Sequence, residues 1–332
     1  MNSNSTPYLS IVATSRNDNH GGDLTNRMKI FVNGLIHQTR KFQFSCELVM
    51  VEWNPPADKP GLSEILPKTN PEDFLTIRYV VVPSHIHDQM EFSERLYVFQ
   101  MIAKNIGIRR ARGEYVLCTN IDLLFSDQLF KFFADRKLEK NVFYRCKRCD
   151  IPNSIYEIEN IEKQLEFAQN NVTKKLGKVE WFGISTTLFQ KLMKMPLPSS
   201  LNDMIARLLI SSLDKEACGD FTLMSKEDWI RIEGYPELEV YSLHIDSMGI
   251  IAAASIGIKQ QILSPKKCTY HIAHTGGWEF QTAKERVLFH TNKPVLDWWS
   301  VFRLGVEIVR KGVTYSLNKS TWGLSDQDLM EK

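Results

Sequence analysis

A carboxylate and an amide interrupt an apolar run in the stretch "GEYVLCTNIDLLFS", residues 113–126. The letters "YVLC" have the composition of a strand that is covered on both faces. Asn120 and Asp122 follow before the apolar pattern resumes. Because an ionised carboxylate is not buried without a partner, Asp122 needs a cation, a set of hydrogen-bond donors or solvent. One interpretation is therefore a ligand for a divalent ion, and the other is a residue that only caps the following turn.

Other polar side chains stand at the ends of two earlier apolar runs. The run "YLSIVATS" (8–15) ends in Ser15 and is followed by Asp18, and the run "CELVMVEW" (46–53) carries Glu52 next to its last residue. Each has a structural alternative, since Asp18 can close a turn through its own side chain and Glu52 can be a plain surface charge.

Apolar runs and helical periodicities alternate along the chain. Strands are predicted at 8–15, 46–53, 75–83 and 114–118, and helices at 24–40, 93–111 and 154–171. Strands separated by helices indicate parallel βαβ units with right-handed crossovers. The sequence thus predicts an α/β fold, and ligands of such folds bind at the carboxyl ends of the strands, where these polar residues lie.

Several functional classes lack their signature. The turn after the first predicted strand, "TSRNDNHGGD", has no G-x-G-x-x-G spacing, which disfavours a dinucleotide-binding dehydrogenase. No G-x-x-x-x-G-K-[ST] occurs in the chain, which disfavours a P-loop enzyme. A formal net charge of +2 over 332 residues gives no support for nucleic-acid binding.

The composition is that of a soluble protein from a reducing compartment. Hydrophobic residues make up 43% and charged residues 24% of the chain, both ordinary values for a globular protein. No apolar run reaches the roughly 18 residues that a membrane-spanning helix needs, and "MNSNSTPYLS" does not have the regions of a signal peptide. The six cysteines are therefore expected to be reduced, in the cytoplasm. Cys146 and Cys149 form one Cys-x-x-Cys, which we interpret as two incidental thiols rather than a metal or redox site.

Four motifs follow one another in the first half: "VATSRNDN", "VMVEWNPP", "AKNIGIRRARGEY" and the Asn-Ile-Asp at 120–122. The second half adds "GDFTLMSKEDWIRIEGYPE", "HIDSMG" and "YHIAH". In this order they resemble the GT-A nucleotide-sugar glycosyltransferases, most closely the family-2-like group, over residues 8–275. The resemblance implies a Rossmann-like, mostly parallel central sheet flanked by helices, with an acceptor-side α+β half.

On the donor side, the resemblance implies a nucleoside diphosphate sugar and a divalent cation, Mn²⁺ or Mg²⁺. A cation held by a carboxylate would neutralise the charge that develops on the leaving diphosphate. Asp122 keeps the position of the family's metal-binding Asp, whereas Asn120 replaces its first Asp and can still hydrogen-bond a hydroxyl. The residues expected to contact the nucleotide are Ser15, Arg16, Asp18, Glu52, Lys104, Asn105 and Asn120.

On the acceptor side, the resemblance assigns Asp246 as the base that takes the proton from an acceptor hydroxyl in an inverting transfer. Asp246 can equally be the N-cap of the helix "SMGIIAAASIG". Asp220 is expected to contact the sugar, and His244 is a further acceptor-side candidate. "YHIAH" resembles the family's late metal-binding histidine, so one of His271 and His274 is expected on the same cation.

The resulting prediction is one GT-A domain with a tail: a nucleotide-sugar-binding half at 1–135, an acceptor-binding half at 136–275 and a helical extension at 276–332. The predicted enzyme is a hexosyltransferase acting on a saccharide or glycolipid in glycan or surface polysaccharide assembly. The apolar stripe in "VLDWWSVFRLGVEIVRKG" is expected to pack on the body, with peripheral membrane contact as the other interpretation. Two other functions stay open: a sugar-1-phosphate nucleotidyltransferase, and a non-catalytic GT-A domain that binds sugar nucleotides or scaffolds partners.

Overall fold

A computed structural model describes residues 6–178, 186–193, 195–274, 293–311 and 318–332. The strands are β1 (Leu9–Ser15), β2 (Cys46–Trp53), β3 (Leu75–Val82), β4 (Tyr115–Thr119), β5 (Leu123–Phe125), β6 (Val142–Arg145), β7 (Lys147–Ile151), β8 (Lys174–Leu176), β9 (Phe221–Ser225), β10 (Lys259–Ile262), β11 (Cys268–Ile272) and β12 (Met330–Glu331). The helices are α1 (Leu24–Phe42), α2 (Leu62–Ile65), α3 (Ser84–His87), α4 (Gln100–Arg110), α5 (Asp127–Ala134), α6 (Ile161–Asn170), α7 (Thr186–Met193), α8 (Ser199–Ser212), α9 (Lys226–Arg231), α10 (Ile245–Ser255) and α11 (Trp298–Lys311). The glycines of "CTYHIAHTGGW" and parts of the predicted tail lie outside the described residues.

Eight strands form a central sheet in the order β10-β6-β9-β4-β1-β2-β3-β12. The strands β4, β1, β2 and β3 are parallel neighbours, so their carboxyl ends share one edge. Every residue of β1, β2 and β4 is buried, which explains their unbroken apolar runs. The predicted fold class, an α/β protein with a mostly parallel central sheet flanked by helices, is confirmed.

Helices cover both faces of this sheet. Consecutive side chains of a strand point to opposite faces, so a strand of apolar residues presents an apolar surface on each side. Leu9, Ile11 and Ala13 of β1 belong to the same hydrophobic cluster as the apolar face of α1. Val12, between them, belongs to the cluster that contains the apolar side chains of α4. The central strands are therefore buried from both sides.

Part of the second half of the chain continues the central sheet, and part of it forms a smaller sheet. β9 is antiparallel to β4 and pairs Phe221 with Thr119, so β9 begins at the edge where β4 ends. A smaller sheet has the order β5-β11-β7-β8 and extends the fold beyond that edge. In it, β11 pairs His271 with Leu123 of β5 and with Asp150 of β7. This register brings the late histidine motif to the acidic motif.

Two predicted helices are shorter than their sequence patterns suggested. The helix predicted at 93–111 begins only at Gln100, and the residues before it form turns, of which 95–98 line a cavity. The helix predicted at 154–171 divides into a 3₁₀ turn, Asn153–Glu157, and α6. Asn160 causes this division, since its side chain accepts a hydrogen bond from the backbone N–H of Lys163 and caps α6.

The described part of the tail packs on the body. α11 lies close to α10 and α8, and a Cβ added at Gly305 would come within 3.0 Å of Ile251 and 3.4 Å of Ile210. The last residues form β12 at the edge of the central sheet, beside β3. Trp299 of α11 is 70% exposed, and the peripheral membrane contact of the tail stays a prediction. Within the described ranges, no helix combines the length and the apolar composition needed to cross a membrane.

Candidate functional site

A cavity of about 480 Å³ opens at the carboxyl edge of the parallel strands. Eight of the thirteen predicted site residues line it: Ser15, Arg16, Asp18, Asn120, Asp122, Asp220, His271 and His274. They come from the ends of β1, β4 and β11 and from the turn before β9. The topology accounts for this convergence: the parallel strands β1 and β4 end at one edge, the antiparallel strand β9 begins there, and the register of β11 on β5 brings the histidines to Asp122.

Asp122 is a buried carboxylate of the cavity lining, 8% exposed. Its Oδ2 lies 3.2 Å from Nε2 of His274 and 3.6 Å from Nε2 of His271. One ligand atom from each of these three residues lies within 4.8 Å of the others. Nη1 of Arg27 is 3.7 Å from the same carboxylate oxygen. The carboxylate therefore faces two imidazoles and a guanidinium.

The charges of this cluster depend on one another. Burial disfavours ionisation of Asp122, but the two imidazoles outweigh it and hold the pKa of the carboxyl well below its usual range. Burial also disfavours a charged His271, yet the carboxylate of Asp122 raises the pKa of this imidazole to about 9. A metal ion binds the neutral imidazole, so it would have to displace this proton.

The three side chains fit a divalent cation. Oδ1 of Asp122 is buried and has no hydrogen-bond partner among the described residues, so one carboxylate oxygen remains available as a ligand. One carboxylate and two imidazoles are donors that a transition ion such as Mn²⁺ accepts, whereas Mg²⁺ prefers oxygen ligands and retains water. The residues that would hold the ion are Asp122, His271 and His274.

Both the oxygen and the nitrogen of the Asn120 amide hydrogen-bond other side chains. Its Oδ1 accepts hydrogen bonds from Lys104 Nζ at 2.9 Å and from Gln100 Nε2 at 2.8 Å. Its Nδ2 donates to Oδ1 of Asp220 at 2.6 Å. Lys104 is fully buried and also donates to the carbonyl of Gly219, and its burial lowers the pKa of the ammonium. In this arrangement Asn120 holds Asp220 in place on the cavity wall.

Two residues that the sequence analysis did not single out continue this network. Arg148 donates from Nη1 to Oδ2 of Asp220 at 3.0 Å and from Nε to Oδ1 of Asp150 at 2.7 Å. The same Oδ1 of Asp150 is 3.2 Å from Nδ1 of His271. Asp220 is thereby linked through two side chains to a candidate metal ligand. The sequence signal for this link is the spacing of Arg148 and Asp150, which puts both side chains on one face of β7.

Another part of the cavity wall carries Ser15, Arg16 and Asp18, which were predicted for the nucleoside. Arg16 donates to the carbonyl of Tyr97 at 3.2 Å, and its guanidinium lies 5.3 Å from the centre of that ring. Nε of Arg16 is 3.4 Å from Oδ2 of Asp18. Oδ1 of Asp18 accepts from the N–H of His20, which is the turn-closing bond considered for this residue. Tyr97 is 64% exposed and was not predicted.

Three residues predicted to contact the nucleotide do not reach the cavity. Glu52 is 2% exposed, accepts a hydrogen bond from the N–H of Leu62 at the start of α2, and has its pKa raised by burial. Asn105 is fully buried and bonds the backbone of Tyr235 with both ends of its amide. Lys104 is fully buried and bonds Asn120 and the carbonyl of Gly219 instead of lining the cavity. Glu52 is thus a partner of a buried backbone group, and not a surface charge.

Asp246 and His244 lie at the start of α10 and are not among the residues that line the cavity. The N-cap interpretation of Asp246 is wrong, because His244 is the N-cap and Asp246 lies in the first turn. Oδ1 of Asp246 accepts from the N–H of Ser247, and its Oδ2 would be 3.0 Å from a Cβ on Gly219. His244 has a φ of 66° and lies edge-on to Trp298, with ring centres 5.2 Å apart.

The sequence analysis also did not identify two cationic residues of the cavity, Arg27 and Lys293. Arg27 is 2% exposed, donates to the carbonyls of His20 and Gly22, and keeps a buried Nε without a hydrogen-bond partner. Lys293 lies 4.4 Å from the ring centre of Tyr241, and burial lowers the pKa of its ammonium. Neither residue belongs to a motif, so only their positions in the fold identify them.

No protein-family model matches the sequence, and no curated protein matches it either. Among solved structures, the chain is similar to S. aureus TarS 1–349, with a TM-score of 0.45 and 15% identity over 80% of this chain and 60% of that one. The similarity to TarS 1–349 in complex with UDP has a TM-score of 0.43 and 14% identity, and it covers 80% of this chain and 60% of that one. The similarity to GalNAc-T7 with UDP, GalNAc and Mn²⁺ has a TM-score of 0.43 and 14% identity, and it covers 83% of this chain and 45% of that one. The chain therefore spans three fifths or less of each matched chain.

Proposed function

We propose that this chain is a glycosyltransferase that moves a sugar from a nucleoside diphosphate sugar to a hydroxyl of a saccharide or glycolipid. The observation that carries the proposal is the convergence of Asp122, His271 and His274 in a cavity that Arg27 and Lys293 also line. A sugar nucleotide leaves as a diphosphate, and positive groups fixed beside it stabilise the charge that develops. A divalent ion, when bound, would supply additional positive charge at the same place.

The nucleoside would occupy the wall formed by Ser15, Arg16 and Asp18. Tyr97 presents an exposed ring on this wall, and the base of a nucleotide can stack on such a ring. Arg16 holds the ring through the Tyr97 carbonyl and lies against its face. Glu52 in β2 and Asn105 in α4 hydrogen-bond backbone groups of the protein, which supports a structural role for both behind the nucleotide.

The sugar would lie between the cation site and Asp220. The carboxylate of Asp220 is on the cavity wall and is oriented by Asn120 and Arg148, so it is suited to hydrogen-bond sugar hydroxyls. We assign the general base of an inverting transfer to Asp246, on the resemblance of "HIDSMG" to the acceptor-side motif. Asp246 lies beside Gly219, which directly precedes Asp220 in the chain. We further assign hexoses as the transferred group and glycan or surface polysaccharide assembly as the process.

The test is to incubate the protein with UDP- and GDP-sugars, with and without Mn²⁺, and to measure nucleoside diphosphate release. We expect slow donor hydrolysis that an acceptor saccharide accelerates and that EDTA abolishes. Turnover that requires pyrophosphate would identify a sugar-1-phosphate nucleotidyltransferase instead. Binding of a sugar nucleotide with no product from any donor and acceptor pair would identify a non-catalytic domain.

A further inference from the structure

Asp150 and His271 occupy directly opposed positions on the neighbouring parallel strands β7 and β11. Oδ1 of Asp150 lies 3.2 Å from Nδ1 of His271, although the ring is not aligned for a full hydrogen bond. Nε2 of the same ring points to Asp122, at 3.6 Å. The imidazole therefore has one carboxylate at each nitrogen, and both aspartates are buried.

The position of Asp150 is itself determined by Arg148. The Nε of Arg148 donates to Asp150, while its Nη1 donates to Asp220 on the cavity wall. Because a guanidinium is planar, these two bonds fix the carboxylates relative to each other. Asp220 is in turn held by Asn120, whose carbonyl oxygen is bonded by Lys104. A continuous chain of buried polar side chains thus joins the sugar side of the cavity to the candidate cation ligands.

We propose that Asp150 is a positioning residue for His271, which orients the ring so that Nε2 is presented to the cation. This inference rests on the proposed function, because it requires that the cation binds at Asp122, His271 and His274. Metal-binding histidines generally donate their second N–H to a carboxylate or carbonyl, which fixes the tautomer and the ring orientation. The opposing explanation is that Asp150 only neutralises Arg148.

A matched pair of substitutions separates the two explanations. Asp150→Asn keeps the size of the side chain but removes its charge. Asp214→Asn makes the same change at a fully buried aspartate whose Oδ2 lies 3.9 Å from Nε of Arg145, outside the cavity lining. Both variants are titrated with Mn²⁺ by calorimetry and with Co²⁺ by visible absorption, and the metal-free thermal stability of each is recorded. Asp122→Ala serves as the variant without a cation site.

We expect Asp150→Asn to weaken Mn²⁺ binding by about 10- to 100-fold and to change the Co²⁺ spectrum, since loss of such a partner typically has this effect. Asp214→Asn should bind both ions as the wild type does. If both variants lose metal-free stability but bind Mn²⁺ with wild-type affinity, Asp150 only neutralises Arg148 and the inference is overturned. If the wild type and Asp122→Ala bind Mn²⁺ equally, the cation site itself is wrong, which is a separate failure of the proposed function.

Discussion

At the scale of single residues, Asp122 shows why a strand ends in a carboxylate. Its charge is compensated by two imidazoles and one guanidinium, yet its Oδ1 has no hydrogen-bond partner among the described residues. A buried carboxylate oxygen without a partner has an energetic cost unless a ligand satisfies it. The geometry therefore favours a ligand-binding role over a purely structural one.

Asp122→Ala should abolish ion-dependent donor binding and reduce turnover. The loss of one charged ligand removes about 3–4 kcal/mol of leaving-group stabilisation, which corresponds to at least a hundredfold in rate. The measurement is sugar transfer together with the shift in melting temperature on adding UDP and Mn²⁺.

Asp135→Ala is the control for this variant, because Asp135 is a surface carboxylate that pairs with Lys131 and Lys137. Surface ion pairs contribute little, so the control should behave as the wild type does. Full activity of Asp122→Ala, or of the wild type in EDTA, would exclude Asp122 from the mechanism.

Asp246→Asn tests the assigned general base. An amide cannot accept a proton from the acceptor hydroxyl, so turnover should fall by about 10²–10⁴-fold. The amide oxygen can still accept the hydrogen bond from Ser247, and Asp246 is not the N-cap, so the melting temperature and donor affinity should stay near those of the wild type. Steady-state kinetics and thermal unfolding check both statements. Unchanged turnover would transfer the role of base to another group, with Asp220 as the next candidate.

At the scale of elements, the packing of α4 on β1 positions the buried end of the site. Gly107 of α4 faces Val12, and an added Cβ would lie 2.3 Å from Cγ1 of that valine. α4 can therefore approach the sheet closely only because residue 107 has no side chain. The same helix carries Lys104, which reaches Asn120 from this position.

Gly107→Ala should destabilise the fold although alanine is the better helix former. Separating α4 from the sheet costs about 1–3 kcal/mol, which equals or exceeds the roughly 1 kcal/mol gained in helix propensity. Urea unfolding measures the net change. Asn33→Ala on the exposed face of α1 is the control and should be neutral or slightly stabilising. A Gly107→Ala variant as stable as the wild type would show that this contact is loosely packed.

At the scale of the whole molecule, the last residues of the chain complete the central sheet. The backbones of Tyr79 and Lys332 exchange two hydrogen bonds of 2.9 Å, so β12 covers the edge strand β3. Trp322 is 3% exposed and packs under the guanidinium of Arg109, which lies 4.0 Å from the ring centre. Arg110 donates to three backbone carbonyls of the same segment. The carboxyl-terminal segment is therefore part of the core.

Trp322→Ala should destabilise the protein by about 3–5 kcal/mol, as is usual when a buried tryptophan is truncated. Trp299→Ala, at a 70% exposed position, should change the free energy of unfolding by about 0.5 kcal/mol or less. Denaturant unfolding of both variants gives the comparison. Equal effects from the two substitutions would contradict a core role for the carboxyl-terminal segment.

The sequence by itself determined the local elements and the polar residues at strand ends. Buried parallel strands require unbroken apolar runs, so β1, β2 and β4 were recognisable, and topology forces their carboxyl ends together. The expectation that Asp122 shares a cation with one of the two histidines came from the family resemblance of the motifs, because β11 belongs to the smaller sheet. The two predicted helices that contain Gln100 and Asn160 were too long, because the apolar pattern continues through the turn or cap before each observed helix. Hydrophobic periodicity alone does not locate the start of a helix.

Only the tertiary structure decided which polar groups face the cavity and which face the protein. Glu52 and Asn105 have the residue types of ligand contacts, but backbone groups distant in sequence satisfy them. Arg27, Arg148 and Asp150 carry no motif, and the register of β11 on β7 and the approach of α1 place them beside the site. A buried polar side chain must find a partner, and the sequence does not record which of the available partners lies within 3 Å.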